Sequence, residues 1–497
     1  MSGNRLRKAL LLLLVVCAIL AGIGTLGYVL WRNGTFLPQW ITWENREMYD
    51  QTGEYRVLLQ RRKVLVFWQD REIWSSPEDI KVQEAVTCDI DNDGRDELIL
   101  LCWKIGRYGS HKPFWVKEDE KKWSQHIFVY AYAEDAIRPK WMSSFLGQDV
   151  MDMAQNGKEK QPRLWLTAPD GSVSSWMWDS WGFTKEDTDI SFAVFGDLIA
   201  HEPIYRYGLQ QDEAFGFLFE NFTELLAAKD VTVINQETPL TDDPDRYGDY
   251  PRFGTPVQVG QAIVDAGFDV VTCATNHALD RGTEGIGFTK RFFEENGVLC
   301  LGIQEETQSG RAYEILTRKG VRFALFNYTY GTNGIPVPDG FPDMVRMLDD
   351  EEKIRNELKS AAGEADLVIV FVHWGTENAE EPDDFQKKWA QVFLEGGADV
   401  VVGTHPHALQ PATVLTDEDG HEMLLFYSIG NFLSAQPQKS CVRGGIAEFT
   451  VSLTQKGYQV TAYDLIPLRI VWHEGGKYTA EPERGGYSDE AEKGAGE

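Results

Sequence analysis

Six short polar motifs in this 497-residue chain, each following an apolar run, carry side chains that could bind a divalent cation. They are Gly196-Asp197, Asn235-Gln236-Glu237, Asn276-His277 with Asp280, His373-Trp374-Gly375, Gly403-Thr404-His405-Pro406-His407 and Ser428-Ile429-Gly430-Asn431-Phe432. Taken singly each is weak, since a Gly-Asp pair is ordinarily a turn and an Asn-His pair ordinarily a cap or surface contact. His405 and His407 are better, because an extended backbone turns residues two apart to the same side. Together the motifs supply carboxylate, amide and imidazole donors, a mixed oxygen and nitrogen set suited to two divalent metals such as Mn, Fe or Zn.

Those side chains need a scaffold, and the texture of the chain from about 188 to 470 provides one. Strands are expected at Ile190–Phe195, Val231–Ile234, Phe268–Ala274, Leu367–Val372, Val400–Val402 and Met423–Tyr427. Helices are expected at Phe215–Lys229, Val257–Ala266 and Phe385–Glu395. Such alternation argues for an α/β fold of layered sheet and helix. The motifs fall where the strands end, and strand carboxyl ends converge on the crevice that binds ligands in such sheets.

Over about 190–440, the motifs Gly-Asp, Asn-x-Glu, Asn-His-x-x-Asp, His-Trp-Gly, Gly-x-His-Pro-His and Ser-x-Gly-Asn-Phe run in an order that resembles the CapA family of capsule-synthesis proteins. That family, known for poly-γ-glutamate capsule synthesis, is related to calcineurin-like metallophosphoesterases. The resemblance implies a layered β-sandwich flanked by helices, with Asp197, Glu237, Asn276, His373, His405 and His407 as metal ligands and Glu237 in the bridging position. It makes His277 the general acid or transition-state contact and Asp280 the partner that orients it. His201 matches no family ligand and reads as a supporting or surface residue. Thr275 stands where the family often has a second Asn, and Thr404 where it often has His.

Twelve of the sixteen tryptophans lie between Trp40 and Trp181, and the residues from 40 to 185 read as a separate all-β module. Its sharpest feature is Asp89-Ile90-Asp91-Asn92-Asp93-Gly94-Arg95-Asp96-Glu97. Carboxylates at alternate positions around a glycine turn make a hard-oxygen cage, so Asp89, Asp91, Asp93, Arg95 and Glu97 are candidates for a structural Ca2+. The loop looks like that of FG-GAP repeats, here in one copy; a solvated acidic turn is the plainer alternative. Cys88 and Cys102, flanking this loop, are close enough in sequence to pair, whereas Cys273 and Cys300 read as buried free thiols.

Residues 9–31 are apolar and uncharged, long enough to span a bilayer, with Arg5, Arg7 and Lys8 before them. Residues 1–33 therefore read as a cytoplasmic N-terminus and an uncleaved anchor with the bulk of the chain outside the cell membrane. Leu14-Val15-Val16-Cys17 departs from a lipoprotein box at the residue before the cysteine. Acidic residues outnumber basic ones 77 to 48 for a net charge of −29, which repels nucleic acid. An anionic substrate would then need local cations; Arg246 and Arg252, in the polar loop 240–254, are two candidates, and 331–343 forms a similar insertion. Residues 475–497 read as a disordered acidic tail. The expected role is in a capsule-polymer synthesis or export complex, either as a two-metal phosphoesterase or as a non-catalytic scaffold. A cell-surface phosphoesterase unrelated to capsule and a calcium-dependent adhesion protein are the remaining readings.

Overall fold

Alternating strands and helices after residue 188 become two sheets packed face to face, each covered outside by helices. The structure is a computed structural model and describes residues 3–108, 117–156, 162–179, 181–211, 215–305 and 311–483. The chain divides into two units, Met1–Thr188 with Leu453–Gln455, and Asp189–Ser452 with the residues from Lys456 onward.

In the second unit, the strands Leu299–Leu301, Val270–Thr272, Val231–Gln236 and Ile190–Leu198 lie side by side and parallel. The sheet continues through Arg443–Thr454, Gly457–Trp472 and Tyr478–Pro482. The second sheet runs Tyr313–Arg318, Val321–Thr329, Leu367–His373, Val400–Thr404, Glu422–Phe426, Ala412–Thr416, parallel at its centre. Their facing sides bury Phe192, Val194 and Val233 against Phe323, Ile369 and Val402. The outer face of the first sheet packs on the helices Val257–Ala266 and Gly282–Glu295; that of the second packs on Glu351–Ala362 and Asp384–Gly396. Because both faces of each sheet are covered, the central strands are apolar almost throughout.

Three expectations need correction here. The helix expected at Phe215–Lys229 is broken into the 3-10 turns Gly216–Leu218 and Glu220–Phe222 and the short helix Thr223–Ala228. Phe219 and Phe222 leave helical geometry at φ −119° and −120° and pack on Phe432, a contact a continuous helix would not provide. Tyr478–Pro482, inside the stretch expected as tail, pairs with the exposed edge of Gly457–Trp472 and buries Ala480; residues 484–497 lie outside the described residues. Cys88 and Cys102 do not pair. Cys88 faces Glu97 across the hairpin and Cys102 faces Val82, so they stand about five strand residues, roughly 17 Å, apart, far beyond disulfide reach.

The first unit, by itself, begins with the helix Gly3–Arg32, of which Leu13–Arg32 is long and apolar enough to cross a membrane, with a mean hydropathy of 2.4. Three four-stranded antiparallel meanders follow among the described residues, spanning Arg46–Ser75, Ile80–Met142 and Asp152–Lys185. One core lies between the first and second meanders and another between the second and third. The acidic loop joins Ile80–Cys88 to Glu97–Ile105.

Candidate metal centre

The crevice is built where strands of both sheets end. Ile190–Leu198 carries Asp197, and a bulge between Phe195 and Asp197 breaks the strand's alternation at Gly196. Phe192 and Val194 face the inter-sheet core and Phe195 the helix-covered side. The extra residue lets Asp197 turn toward the crevice instead of following Phe195. Gly196 is needed there because a Cβ would lie 2.0 Å from the carbonyl oxygen of Gly430. Asn235, two residues before Glu237, donates from Nδ2 to Asp197 Oδ1 at 2.7 Å and fixes the carboxylate.

Six side chains expected as ligands come together, although up to 210 residues separate them. Nδ1 of His407 lies 2.9 Å from Asp197 Oδ2. Glu237 Oε1 lies 3.8 Å from His373 Nε2 and 3.7 Å from His407 Nε2. Nε2 of His373 is 2.9 Å from Asn276 Oδ1 and 3.2 Å from Nδ1 of His405. All six are buried. Two triads each offer ligand atoms within 4.8 Å of one another: Asp197, Glu237 and His373, and Glu377, His405 and His407. They overlap in space through the His373–His405 and His407–Asp197 contacts.

His405 and His407 reach the crevice by a route other than extended strand. Val400–Thr404 ends just before them, and both residues adopt left-handed backbone, φ 95° and 55°, on either side of Pro406. Left-handed non-glycine residues cost on the order of 1–3 kcal/mol each and persist where surrounding structure holds them. Here the backbone N–H of His405 donates to Asp197 Oδ2, and Nδ1 of His407 also lies 3.0 Å from Asn431 Oδ1. The rings still converge, with centroids 5.8 Å apart.

The departures from the resembled motifs have structural work. Thr404 places Oγ1 2.9 Å from Nδ1 of His373, orienting the ring so that Nε2 faces the crevice. Thr275 donates from Oγ1 to the carbonyl oxygen of Glu237 at 2.6 Å. The indole N–H of buried Trp374 donates to the carbonyl oxygen of Tyr427, tying the His-Trp-Gly turn to the floor of the site.

Electrostatics single out Glu237. Both of its carboxylate oxygens are buried and make no hydrogen bond. Burial, and next the Asp197 charge, push its pKa well above the ordinary 4.5. A buried carboxylate without a partner is costly, and divalent cations between it and the imidazoles would satisfy it. His373 and His405 are held well below 6.5, first by burial and then by neighbouring imidazoles. They are therefore neutral near pH 7, the state that ligates metal. The donor set thus fits two divalent cations.

His277 stands beside these groups. Its Nδ1 lies 2.7 Å from Asp280 Oδ2, which also accepts from the N–H of Phe253 at 2.8 Å. The Phe253 ring meets the imidazole edge-on at 4.7 Å. With Nδ1 engaged, Nε2 is the nitrogen left to exchange a proton. His201 instead begins the helix Glu202–Gln210, accepts from the N–H of Ala435, and packs on Phe253. Arg246 is committed to Glu284 and to the carbonyl oxygen of Arg281, whereas Arg252 is exposed.

Glu377, Tyr330 and Asn333 lie outside the six motifs, and Asn431, inside the last of them, is given no ligand role by the resemblance. Glu377 follows His373 by four residues, so the motif extends to His-Trp-Gly-x-Glu; its exposed loop position carries no periodic signal. The Tyr330 ring lies 4.5 Å from that of His405, and burial raises its phenol to about 12. Asn333 accepts from Asn276 Nδ2 at 3.3 Å.

In the first unit, Asp89, Asp91 and Glu97 offer oxygens within 4.8 Å of one another. The Asp89 oxygens accept from the N–H groups of Asp93 and Gly94, and Asp93 accepts from that of Arg95. The Lys140 ammonium lies 2.5 Å from Asp91 Oδ2 and 2.6 Å from Glu97 Oε1, so a protein cation already balances two of the carboxylates.

Residues 191–436 match the family described as "Bacterial capsule synthesis protein PGA_cap". A capsule biosynthesis protein CapA of Bacillus anthracis is 27% identical over 297 residues, 58% of this chain and 69% of that protein. The PGA biosynthesis protein CapA of Bacillus subtilis (strain 168) is 25% identical over 289 residues, 57% of this chain and 73% of that protein. Among solved structures, the NAD nucleotidase of Haemophilus influenzae overlaps with a TM-score of 0.38 and 12% identity over 58% of this chain; the chain spans about half of it, 53%. Through residues 191–436, which carry the whole crevice, the chain belongs to the PGA_cap family of bacterial capsule synthesis proteins.

Proposed function

We propose that the protein is an anchored component of capsule-polymer synthesis whose crevice acts as a two-metal, phosphoesterase-type hydrolase. The observation that carries this reading is Glu237, whose two buried oxygens lack any hydrogen-bond partner while imidazole nitrogens stand 3.7–3.8 Å away. Asp197, Glu237, Asn276 and His373 would hold one cation and Glu377, His405 and His407 the other, with Mn, Fe or Zn as the metals the donor set favours. Bound there, the metals would supply Lewis acidity toward a phosphoryl or related ester and lower the pKa of water. Asn235 and Thr404 orient ligands. His277 holds the proton that a departing oxygen needs at Nε2, and Asp280 keeps its ring in the tautomer that can give it.

The test is His277→Ala in the full chain. Metal content should stay at the wild-type level, while hydrolysis of a bis-aryl phosphodiester slows by about 10²–10⁴-fold. A variant that hydrolyses as fast as wild type sinks the assignment of His277. Retained polymer output in cells carrying His405→Ala would instead favour the scaffold role.

The N-terminal helix is the proposed anchor, with the positive residues Arg5, Arg7 and Lys8 inside and both units outside. Protease added to intact cells should then digest the chain beyond the helix; complete protection would contradict that orientation. Calcium binding by the acidic loop would have to displace Lys140. Lys140→Met should therefore tighten Ca2+ binding by the full chain in calorimetry. Equal heats from wild type, Lys140→Met and Asp89→Asn would leave the loop an ordinary turn.

A further inference from the structure

Cys300 is the middle residue of the strand Leu299–Leu301 and Cys273 directly follows the neighbouring parallel strand Val270–Thr272; their sulfur atoms are 3.8 Å apart. Both are buried, at 4% and 2% exposure, within the apolar core beneath the crevice. No other pair among the six cysteines is joined or brought to this distance among the described residues. A disulfide needs its sulfurs at about 2.0 Å; Cys300 pairs with Val271, two residues before Cys273, so closure also draws in the backbone just after Thr272. The neighbouring Cys300 sulfur and burial hold the Cys273 thiol well above its ordinary value, so exchange proceeds while the core is open or forming.

We infer that Cys273 and Cys300 close to a disulfide when the chain folds, or its core opens, under oxidising conditions. The oxidant class is a disulfide, either of a small thiol or of a thiol–disulfide oxidoreductase. One cysteine thiolate attacks that disulfide, expels one thiol and forms a mixed disulfide; the second cysteine displaces the other thiol. Two S–H bonds and one external S–S bond are lost, one protein S–S bond and two external thiols are gained, and two electrons pass to the oxidant. The consequence lies one step from the chemistry. The segment Ala274–Asp280, bearing Asn276 and His277, leaves the sheet directly after Cys273, and the N–H groups of Cys273 and Ala274 are both held by Asn327 Oδ1. The crosslink pins the root of that loop to the next strand. The inference stands on sulfur geometry and is independent of whether the crevice hydrolyses anything.

The experiment uses the full chain, incubated folded in a reduced/oxidised glutathione buffer and, in parallel, unfolded and refolded in the same buffer. Free thiols are then trapped with N-ethylmaleimide under denaturing conditions and the chain is digested for mass spectrometry. The expected product is the Cys273 peptide joined to the Cys300 peptide, lighter than their sum by two hydrogens, lost on dithiothreitol treatment and absent from Cys300→Ala. Recovery of both cysteines as maleimide adducts after refolding overturns the inference, as does separate glutathionylation of each or linkage of either to Cys17, Cys88, Cys102 or Cys441.

Discussion

Changing Glu237 to Gln is expected to weaken Mn2+ or Zn2+ binding by about 100-fold or more, since removing even an outer partner of a metal ligand costs 10–100-fold. The same change is expected to leave the metal-free chain at least as stable at pH 8 as wild type. The folded metal-free protein holds the Glu237 proton above the ordinary 4.5, at which the unfolded chain loses it. The stability this group contributes is therefore full below that value and falls as pH rises toward its folded-state pKa. The amide of the Glu237→Gln variant carries no charge to bury, so the variant loses this slope. His373 and His405 act in the opposite sense. Held below 6.5 when folded, they contribute stability that is present above that value and drains away as pH falls. Thermal melts in chelator between pH 5 and 9, with calorimetric metal titrations, check both halves of the expectation. A Glu237→Gln chain that binds metal like wild type would contradict the assignment of Glu237 as a ligand.

A second large effect is expected at a residue with no polar side chain. A Cβ on Gly403 would stand 2.0 Å from the Tyr427 carbonyl oxygen and 2.5 Å from Trp374 Nε1, which are themselves hydrogen-bonded at 2.9 Å. Gly403→Ala must push these groups apart. Over-packing of this kind typically costs about 1–3 kcal/mol, and here it also displaces Thr404, the orienting partner of His373, and His405. We expect a lowered melting temperature and loss of metal binding together. Gly216→Ala, where an added Cβ meets nothing within 4 Å, serves as the control and should change neither. Full metal affinity in Gly403→Ala would show that the close contact of Gly403 with Tyr427 does not hold the site.

Some of this arrangement is legible in the chain. The helix Val257–Ala266 can be read to the residue, because its apolar positions recur at helical spacing and Gly267 closes it in left-handed backbone at φ 86°. The strand Ile190–Leu198 is visible as an apolar run, although the bulge that turns Asp197 inward has no local mark other than Gly196. Phe215–Lys229 misleads for a physical reason: its aromatic spacing looks helical, but Phe219 and Phe222 are placed by packing on Phe432, more than two hundred residues away. His405 and His407 are legible as ligand types, whereas their left-handed turn depends on Asp197 and Asn431, partners from other strands. Glu377 escapes notice because an exposed carboxylate in a loop has neither periodicity nor burial to distinguish it. The Cys273–Cys300 contact is likewise a property of strand order, which two apolar runs do not state.

Crystals grown with Mn2+ decide by anomalous scattering whether the crevice holds two cations. One peak is expected among Asp197, Glu237 and His373 and a second among Glu377, His405 and His407. A map with no anomalous peak in the crevice, from protein that diffracts and is fully folded, would contradict it.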